Sequence, residues 1–229
     1  MTLTQKTALV AGGAGALGSV VANRLLSEGA NVFATHVPSH LPSSNPAGIE
    51  WVPCDAADER SVDQTFTHVH ERVGGVDIFV NTIGGFIAGG PIASLSTIDW
   101  DAMMTLNLRT AFLLTRRALQ EMAGKSYGRI IHISAMTALQ RPPGRAAYAI
   151  SKSGVIMLTE IAAREQRTTG VTINAIAPGI IDTPANRRDM PGEDFTKWTT
   201  PEALADMIVR LCSPESSGVS GTILHVPLT

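Results

Sequence analysis

Tyr148 and Lys152 stand four residues apart in the run Ala147-Tyr148-Ala149-Ile150-Ser151-Lys152. On a helix that spacing puts both side chains on one face. A free tyrosine, with a pKa of about 10, is a poor acid–base group at neutral pH. A fixed ammonium about 4–6 Å away favours the phenolate, and the phenol then becomes a competent proton donor and acceptor. By itself such a pair is common, and a surface pair is the plainer reading. Ser134 adds to it. It closes the strand-like run Arg129 to Ser134, and ligands of open α/β sheets bind at the carboxyl ends of strands. A hydroxyl there can donate to a carbonyl oxygen as charge develops on it. Asn107 falls in a helical stretch where asparagine has poor propensity. It reads either as a helix kink or as the anchor of a proton-relaying water.

The second group of candidates binds rather than reacts. A short apolar run, Thr7 to Val10, leads into Ala11-Gly12-Gly13-Ala14-Gly15-Ala16-Leu17-Gly18. Small residues there let backbone N–H groups approach a pyrophosphate, and the helix that follows points its positive end at that charge. The strand–turn–helix context carries the reading; a tight turn without a ligand is the alternative. A dinucleotide also needs its adenosine ribose read at the end of the second strand, where an acid favours NAD and a base NADP. That position holds His36. With no carboxylate present, His36, Ser39 and His40 are the candidates for a 2′-phosphate, and NADP(H) is modestly favoured over NAD(H). A solvated loop histidine is the competing reading.

The elements that would position these groups alternate. Strand-like runs are expected at Thr7–Val10, Asn31–Thr35, Gly48–Cys54, Asp77–Val80, Arg129–Ser134, Val171–Ala177 and Thr222–Val226. Helices are expected at Leu17–Glu28 with Gly29 beyond it, Glu59–Val73, Leu95–Met122 with a break near Asn107, Ala146–Arg167 and Pro201–Cys212. The fold class is therefore α/β: a single Rossmann-like, doubly wound parallel sheet with helices on both faces. No linker, charge block or repeat divides the chain, so residues 1–229 read as one dinucleotide-binding domain. Pro38 to Pro46 reads as a surface loop. Residues 182–200 lack periodicity and are expected to form a substrate flap.

Composition narrows the function class. The chain has 229 residues, 44 % of them hydrophobic, with 18 basic and 20 acidic residues for a formal net charge of -2. No basic run suggests nucleic acid or an anionic membrane as partner. Cys54 and Cys212 lie far apart without metal spacing, which fits a reducing compartment. No apolar run reaches the ~18 residues of a membrane span, and the N-terminus does not read as a signal peptide. A cytoplasmic enzyme acting on a small molecule is expected.

With these residues in order, the chain resembles the short-chain dehydrogenase/reductase family from about residue 5 to residue 226. The family's Thr-Gly-x-x-x-Gly-x-Gly turn appears with Ala11 and Ala16 in place of the threonine and middle glycine. Asp55, followed by Ala56, matches the aspartate at the adenine ring. Asn-Asn-Ala-Gly appears as Asn81-Thr82-Ile83-Gly84. Asn107, Ser134, Tyr148 and Lys152 match the catalytic tetrad, Pro178-Gly179 the Pro-Gly motif, with Ile181 nearby, and Thr183 the residue that bonds the nicotinamide amide. The resemblance implies an NAD(P)-dependent oxidoreductase in which Tyr148 is the acid/base. Lys152 would bind the nicotinamide ribose and depress the Tyr148 pKa. Ser134 would polarise the substrate oxygen, and Asn107 would hold a relay water. Gly12, Ala14, Gly15, Ala16, Leu17 and Gly18 would seat the pyrophosphate. It also implies a homo-dimer or homo-tetramer built on the helices bearing Asn107 and Tyr148.

The C-terminal region, Asp182-Thr183-Pro184-Ala185-Asn186-Arg187 with Trp198-Thr199, is similar to dihydropteridine reductase, as is the stretch Gly84 to Gly90. That family lacks the catalytic serine and has an aspartate where His36 sits. A quinonoid-pterin reductase and a non-catalytic dinucleotide sensor are the alternatives to a carbonyl reductase. No metal site is expected: His68 and His70 face different ways on their helix, and His132 reads as a packed strand residue. Arg187 and Arg188 are candidates for an anionic substrate group.

Overall fold

A computed structural model describes residues 3–39, 46–87 and 89–226. His40, much of the Pro38 to Pro46 loop and Ala88 lie outside the described residues. Seven strands form one parallel sheet: β1 (Thr7–Ala11), β2 (Asn31–His36), β3 (Ile49–Pro53), β4 (Ile78–Asn81), β5 (Gly128–Ile133), β6 (Val171–Pro178) and β7 (Ile223–Val226). Their order is β3-β2-β1-β4-β5-β6-β7. β1, β4, β5 and β6 are buried along their whole length. Uninterrupted apolar runs of this kind need cover on both faces.

Period-2 alternation sorts those runs between two cores. Ala8, Val10, Ile78, Val80, Ile131 and Ile176 face helices α1 (Ala16–Ser27) and α8 (Pro201–Cys212), meeting Val21, Leu25, Leu204 and Ile208. Leu9, Phe79, Ile130 and Ile173 face α2 (Glu59–Val73), Phe66 and Val69 among its residues, and the long helical stretch beyond β4. That stretch is broken where the sequence suggested. α3 (Thr97–Met103) passes into a π-helical turn over Met104–Arg109 before α4 (Thr110–Glu121) resumes. Asn107 sits inside the widened turn, a feature often found at functional sites. α5 (Met136–Gln140) is a short helix between β5 and α6 (Ala146–Glu165) that the sequence did not signal.

The strand order reverses between β1 and β4, so the crevice of the sheet opens above their carboxyl ends. The glycine turn leaves β1, Thr82–Gly84 leave β4 and Ser134 leaves β5, all on that side. Among the described residues no helix is long and apolar enough to cross a membrane.

Candidate active site

The glycine turn is shaped by close approach. A Cβ on Gly18 would lie 2.1 Å from the Gly12 oxygen and 2.8 Å from Thr82 Oγ1, so only glycine lets α1 pack against the turn. Thr82 fills the space beneath it, donating to the Ala11 oxygen at 2.8 Å, which gives the altered Asn81-Thr82-Ile83-Gly84 motif a structural job. Asn81 Oδ1 accepts from the Ile83 amide at 3.1 Å and holds that segment. α1 begins at Ala16, earlier than the sequence suggested, and its first ladder bond runs from the Ser19 amide to the Gly15 oxygen. The amides of Ala16, Leu17 and Gly18 therefore precede the ladder as N-terminal donors, while the Leu17 side chain is buried in the core.

Beside this turn lies a cleft of about 600 Å³. It is lined by Gly12, Ala14 and Gly15, by Thr35 and His36 at the end of β2, by Asp55 and Ala56 after β3, and by Thr82, Ile83 and Gly84 after β4. Nine of the expected cofactor residues thus share one cavity, of the size that small-molecule cofactor sites have, ~300–1,000 Å³. His36 is not a solvated loop residue: it ends β2 and is 8 % exposed, its Nδ1 within 2.9 Å of the Val37 oxygen. Asp55 Oδ1 accepts from the Ala57 amide at 3.0 Å, closing a turn at the cavity wall. The sequence reading missed Thr35, whose buried Oγ1 accepts from the Gly12 amide at 3.0 Å and ties the glycine turn to β2. Nothing in a threonine next to His36 signals this, because the contact spans the strand pair.

Asn107 and Lys152 come together beside the neighbouring strand ends, with Ser134 bonded to the same helix as Lys152. A Cβ on Gly84 would lie 2.7 Å from Lys152 Nζ and 3.0 Å from Asn107 Oδ1, which places those three residues around one point. Lys152 is buried in α6 and donates from Nζ to the Ile133 oxygen at 2.9 Å. Ser134, one residue past β5, donates from Oγ to the Lys152 oxygen at 2.9 Å. Its proton is directed at α6 rather than outward, which differs from the expected pose. Both polar ends of the Asn107 side chain are engaged. Nδ2 donates to the Gly85 oxygen and to Ser151 Oγ at 3.1 Å each, and Oδ1 accepts from the Gly85 amide at 3.0 Å. Ser151 in turn donates to the Tyr148 main-chain oxygen at 2.9 Å, linking the π turn to α6. Ser151 was also missed; its place three residues after Tyr148 is the signal that marks it.

One electrostatic expectation is corrected. Burial pushes the Tyr148 phenol up to about 12, and the charge that opposes this is the guanidinium of Arg145 rather than Lys152. The Lys152 ammonium is itself brought down to about 8 by burial, with Nζ committed to the Ile133 oxygen. The physical reason is that desolvation of a neutral-preferring phenol outweighs a cation whose donor points elsewhere.

The remaining candidates lie along β6 and beyond. Pro178 ends β6, and the Gly179 amide donates to the Val226 oxygen at 2.7 Å. Ile181 pairs with Thr199 as an isolated bridge. Thr183 Oγ1 accepts from the Asn186 amide at 3.2 Å and caps the short helix α7 (Pro184–Asp189), leaving its hydroxyl hydrogen available. Residues 182–200 are held at both ends: the Asp182 amide donates to the Thr199 oxygen at 2.9 Å, and the Thr199 amide to the Ile180 oxygen at 3.0 Å. Trp198 is buried, 4.7 Å from the Phe195 ring. Arg187 is bound by both Asp182 carboxylate oxygens and lies over the Phe195 ring, so of these two arginines only Arg188 is exposed without such a pairing among the described residues. His68 pairs with Glu50 and His70 with Glu121, on separate partners. His132 is fully buried against Thr115 and Phe79, and burial lowers it to about 4, so it stays neutral.

Comparison with known proteins agrees with this geometry. Residues 6–194 match the short chain dehydrogenase family. The chain is 32 % identical over 229 residues to the 3-oxoacyl-[acyl-carrier-protein] reductase MabA of Mycobacterium tuberculosis, covering 96 % of this chain and 91 % of that protein. It is 28 % identical to the 3-oxoacyl-[acyl-carrier-protein] reductase FabG of Aquifex aeolicus, covering 98 % and 96 % respectively. Its structure superposes with a TM-score of 0.91 on a short-chain type dehydrogenase/reductase from Mycobacterium ulcerans, at 25 % identity and covering 99 % and 90 % of the two chains. The chain belongs to the short-chain dehydrogenase/reductase family and is an NAD(P)-dependent oxidoreductase on a Rossmann-like fold.

Proposed function

We propose that this enzyme reduces the ketone of a 3-oxoacyl thioester with NADPH, Tyr148 serving as the acid. The observation that carries the reading is the convergence of Lys152, Asn107 and Gly84 on one point beside the nucleotide-sized cleft, with Ser134 bonded to the same helix. The substrate class follows the 3-oxoacyl-[acyl-carrier-protein] reductases that the chain matches along nearly their whole length.

The cleft fits a dinucleotide: its wall is a turn in which added Cβ atoms at Gly12, Gly13 and Gly18 would collide with neighbours, and its floor lies at the reversal of strand order. The first-turn amides of α1, at Ala16, Leu17 and Gly18, would hold the pyrophosphate, and Asp55 and Ala56 would border the adenine. His36 would face the 2′ position, and with no carboxylate there NADP(H) is modestly preferred, NAD(H) tolerated. Lys152, Thr183 and the Pro178-Gly179-Ile181 segment would bound the nicotinamide end. The bound cofactor supplies the hydride.

The rest is done by this chain. The raised Tyr148 phenol keeps its proton through neutral pH and delivers it to the substrate oxygen. Ser134 turns its hydroxyl from the Lys152 oxygen to that same atom; the helical carbonyl it leaves keeps its ladder bond. Lys152 has two further N–H donors beyond the one at Ile133, one of which stabilises the phenolate as it forms. Asn107 fixes Gly85 and Ser151, and with them the approach to Tyr148. Residues 182–200 cover the site within a single domain. Phe112 on α4 and Ile150, Met157 and Ile161 on α6 are exposed apolar residues that fit assembly into a homo-oligomer.

A panel of acetoacetyl thioesters, simple ketones and quinonoid pterins, run in parallel with NADPH and NADH, tests the reading. The highest kcat/KM is expected for the acetoacetyl thioester with NADPH. A pterin turned over best, or no oxidation of either cofactor, overturns it.

A further inference from the structure

Arg145 is a cation in an unfavourable place. It stands at the N-cap of the twenty-residue helix α6 and makes no capping bond. Ser, Thr, Asp and Asn are the residues preferred there, and a positive charge opposes the helix dipole. Among the described residues it forms no ion pair. Asp99, which lines the same small cavity, already accepts from Ser96 Oγ at 2.8 Å. What Arg145 does contact is the catalytic tyrosine's neighbour. Its guanidinium lies 4.8 Å from the centre of the Phe86 ring, and the Phe86 ring meets Tyr148 edge-on at 5.1 Å. Arg145, Asp99 and Tyr148 together border a cavity of about 10 Å³, room for a single water.

Stacking occupies the face of a guanidinium and leaves its in-plane N–H donors open. Arg145 therefore presents an unfilled donor edge beside the small cavity it shares with Tyr148. We infer that Arg145 determines substrate specificity by donating to a second oxygen acceptor on the substrate, the acyl carbonyl two carbons from the ketone that Tyr148 protonates. The inference rests on the carbonyl-reductase reading above and deepens it. A 1,3-dicarbonyl presents two oxygens on one side of its chain, and a planar fork beside a phenol offers two matching donors. Around Tyr148, Arg145 and Asp99 border the same small cavity, and Lys152 stands one turn further along the same helix. Of the two cations, Arg145 is the exposed one, open to substrate.

The test compares Arg145→Ala and Arg145→Lys with wild type on three probes: S-acetoacetyl-N-acetylcysteamine, acetoacetate and an aliphatic methyl ketone of matching length. Loss of a charged donor predicts about a 10–100-fold fall in kcat/KM on the thioester for Arg145→Ala. The simple ketone should change less than about twofold, since it never used that donor. Arg145→Lys, which keeps the charge without the fork, should recover only part of the loss. An equal fall on thioester and ketone, or no fall on either, overturns the assignment. A fall confined to acetoacetate also overturns it, by pointing to a carboxylate instead of an acyl carbonyl. Binding provides a reading independent of turnover. Calorimetry of the thioester on cofactor-loaded Tyr148→Phe should show affinity dropping when Arg145 is also replaced. Unchanged affinity overturns the inference even if no carbonyl is reduced, whereas absent turnover with the drop intact counts against the reductase reading alone.

Discussion

Lys152 Nζ donates to the Ile133 main-chain oxygen at 2.9 Å, so the buried ammonium is fastened to the last residue of β5. The bond crosses from α6 to the central sheet and sets where that helix stands over the strand ends. It also leaves a buried cation without a carboxylate partner among the described residues, and burial brings its pKa from 10.5 to about 8. Below pH 8 the charge is present in both folded and unfolded chains, and its desolvation cost is in full force. Between about 8 and 10.5 the unfolded chain keeps a proton that the folded one has released.

The Lys152 contribution to stability should therefore rise with pH across that window, against the opposing loss from the Cys54 and Cys212 thiols, which burial holds protonated in the folded chain. Lys152→Met should remove this rise and raise the melting temperature at pH 7, by a gain of order a few kcal/mol at most, while abolishing turnover. Calorimetric melting of both proteins from pH 7 to 10 checks it. A slope in the variant equal to or more positive than that of the wild type would contradict the account.

Tyr148→Phe removes one oxygen from the site. General acid catalysis is worth about 10²–10⁴-fold, so turnover on an accepted substrate should fall by that factor with cofactor affinity unchanged. Steady-state kinetics alongside cofactor titration measures both, and near-normal turnover would remove Tyr148 from the mechanism.

At His36 the cofactor preference is readable directly. His36→Asp places a carboxylate where a 2′-phosphate would lie, and should move preference from NADPH toward NADH by repulsion. Parallel dissociation constants test this. Wild-type protein that binds NADH tenfold tighter than NADPH would refute the assignment.

Thr35→Val keeps the shape of the side chain and deletes the acceptor for the Gly12 amide. A donor left without a partner costs about 1–3 kcal/mol. Both the melting temperature and cofactor affinity should drop, because the same bond shapes the turn. A stable variant with normal affinity would show the bond to be dispensable.

Between its two pinned ends, the exposed part of residues 182–200 is the portion free to respond to ligand, while Trp198 is buried. Cleavage between Arg187 and Lys197 should slow on adding cofactor and substrate. In a protein with Trp51 and Trp100 replaced by Phe, Trp198 emission should be blue-shifted from the start and stay fixed. A large ligand-induced shift would mean that the whole segment moves.

Much of the frame was legible in the sequence because its signals are local. α2 runs from Glu59 to Val73 as expected, since Asp58 caps one end and Gly74, at φ 83°, ends the other. α8 matches as well, set by Thr200 and Pro201. Strand ends shifted by a residue or so, because pairing with a neighbour decides where a strand stops. The residue types and spacings of the glycine turn and of Tyr148 with Lys152 were likewise sufficient to point to a dinucleotide enzyme. What they could not contain is which partner each polar group takes. Thr35 reaches Gly12 across 23 residues, Asn107 reaches Ser151 across 44, and Lys152 reaches back 19 to Ile133. These bonds exist only once sheet and helices are packed, and, with the bond from Ser134 to the Lys152 oxygen, they engage the Ser134 proton and one Lys152 donor in the scaffold. The same packing half-buries Tyr148 and sets Arg145 on Phe86 beside it, so the electrostatics of the phenol follow from tertiary desolvation and not from the four-residue spacing that first marked it.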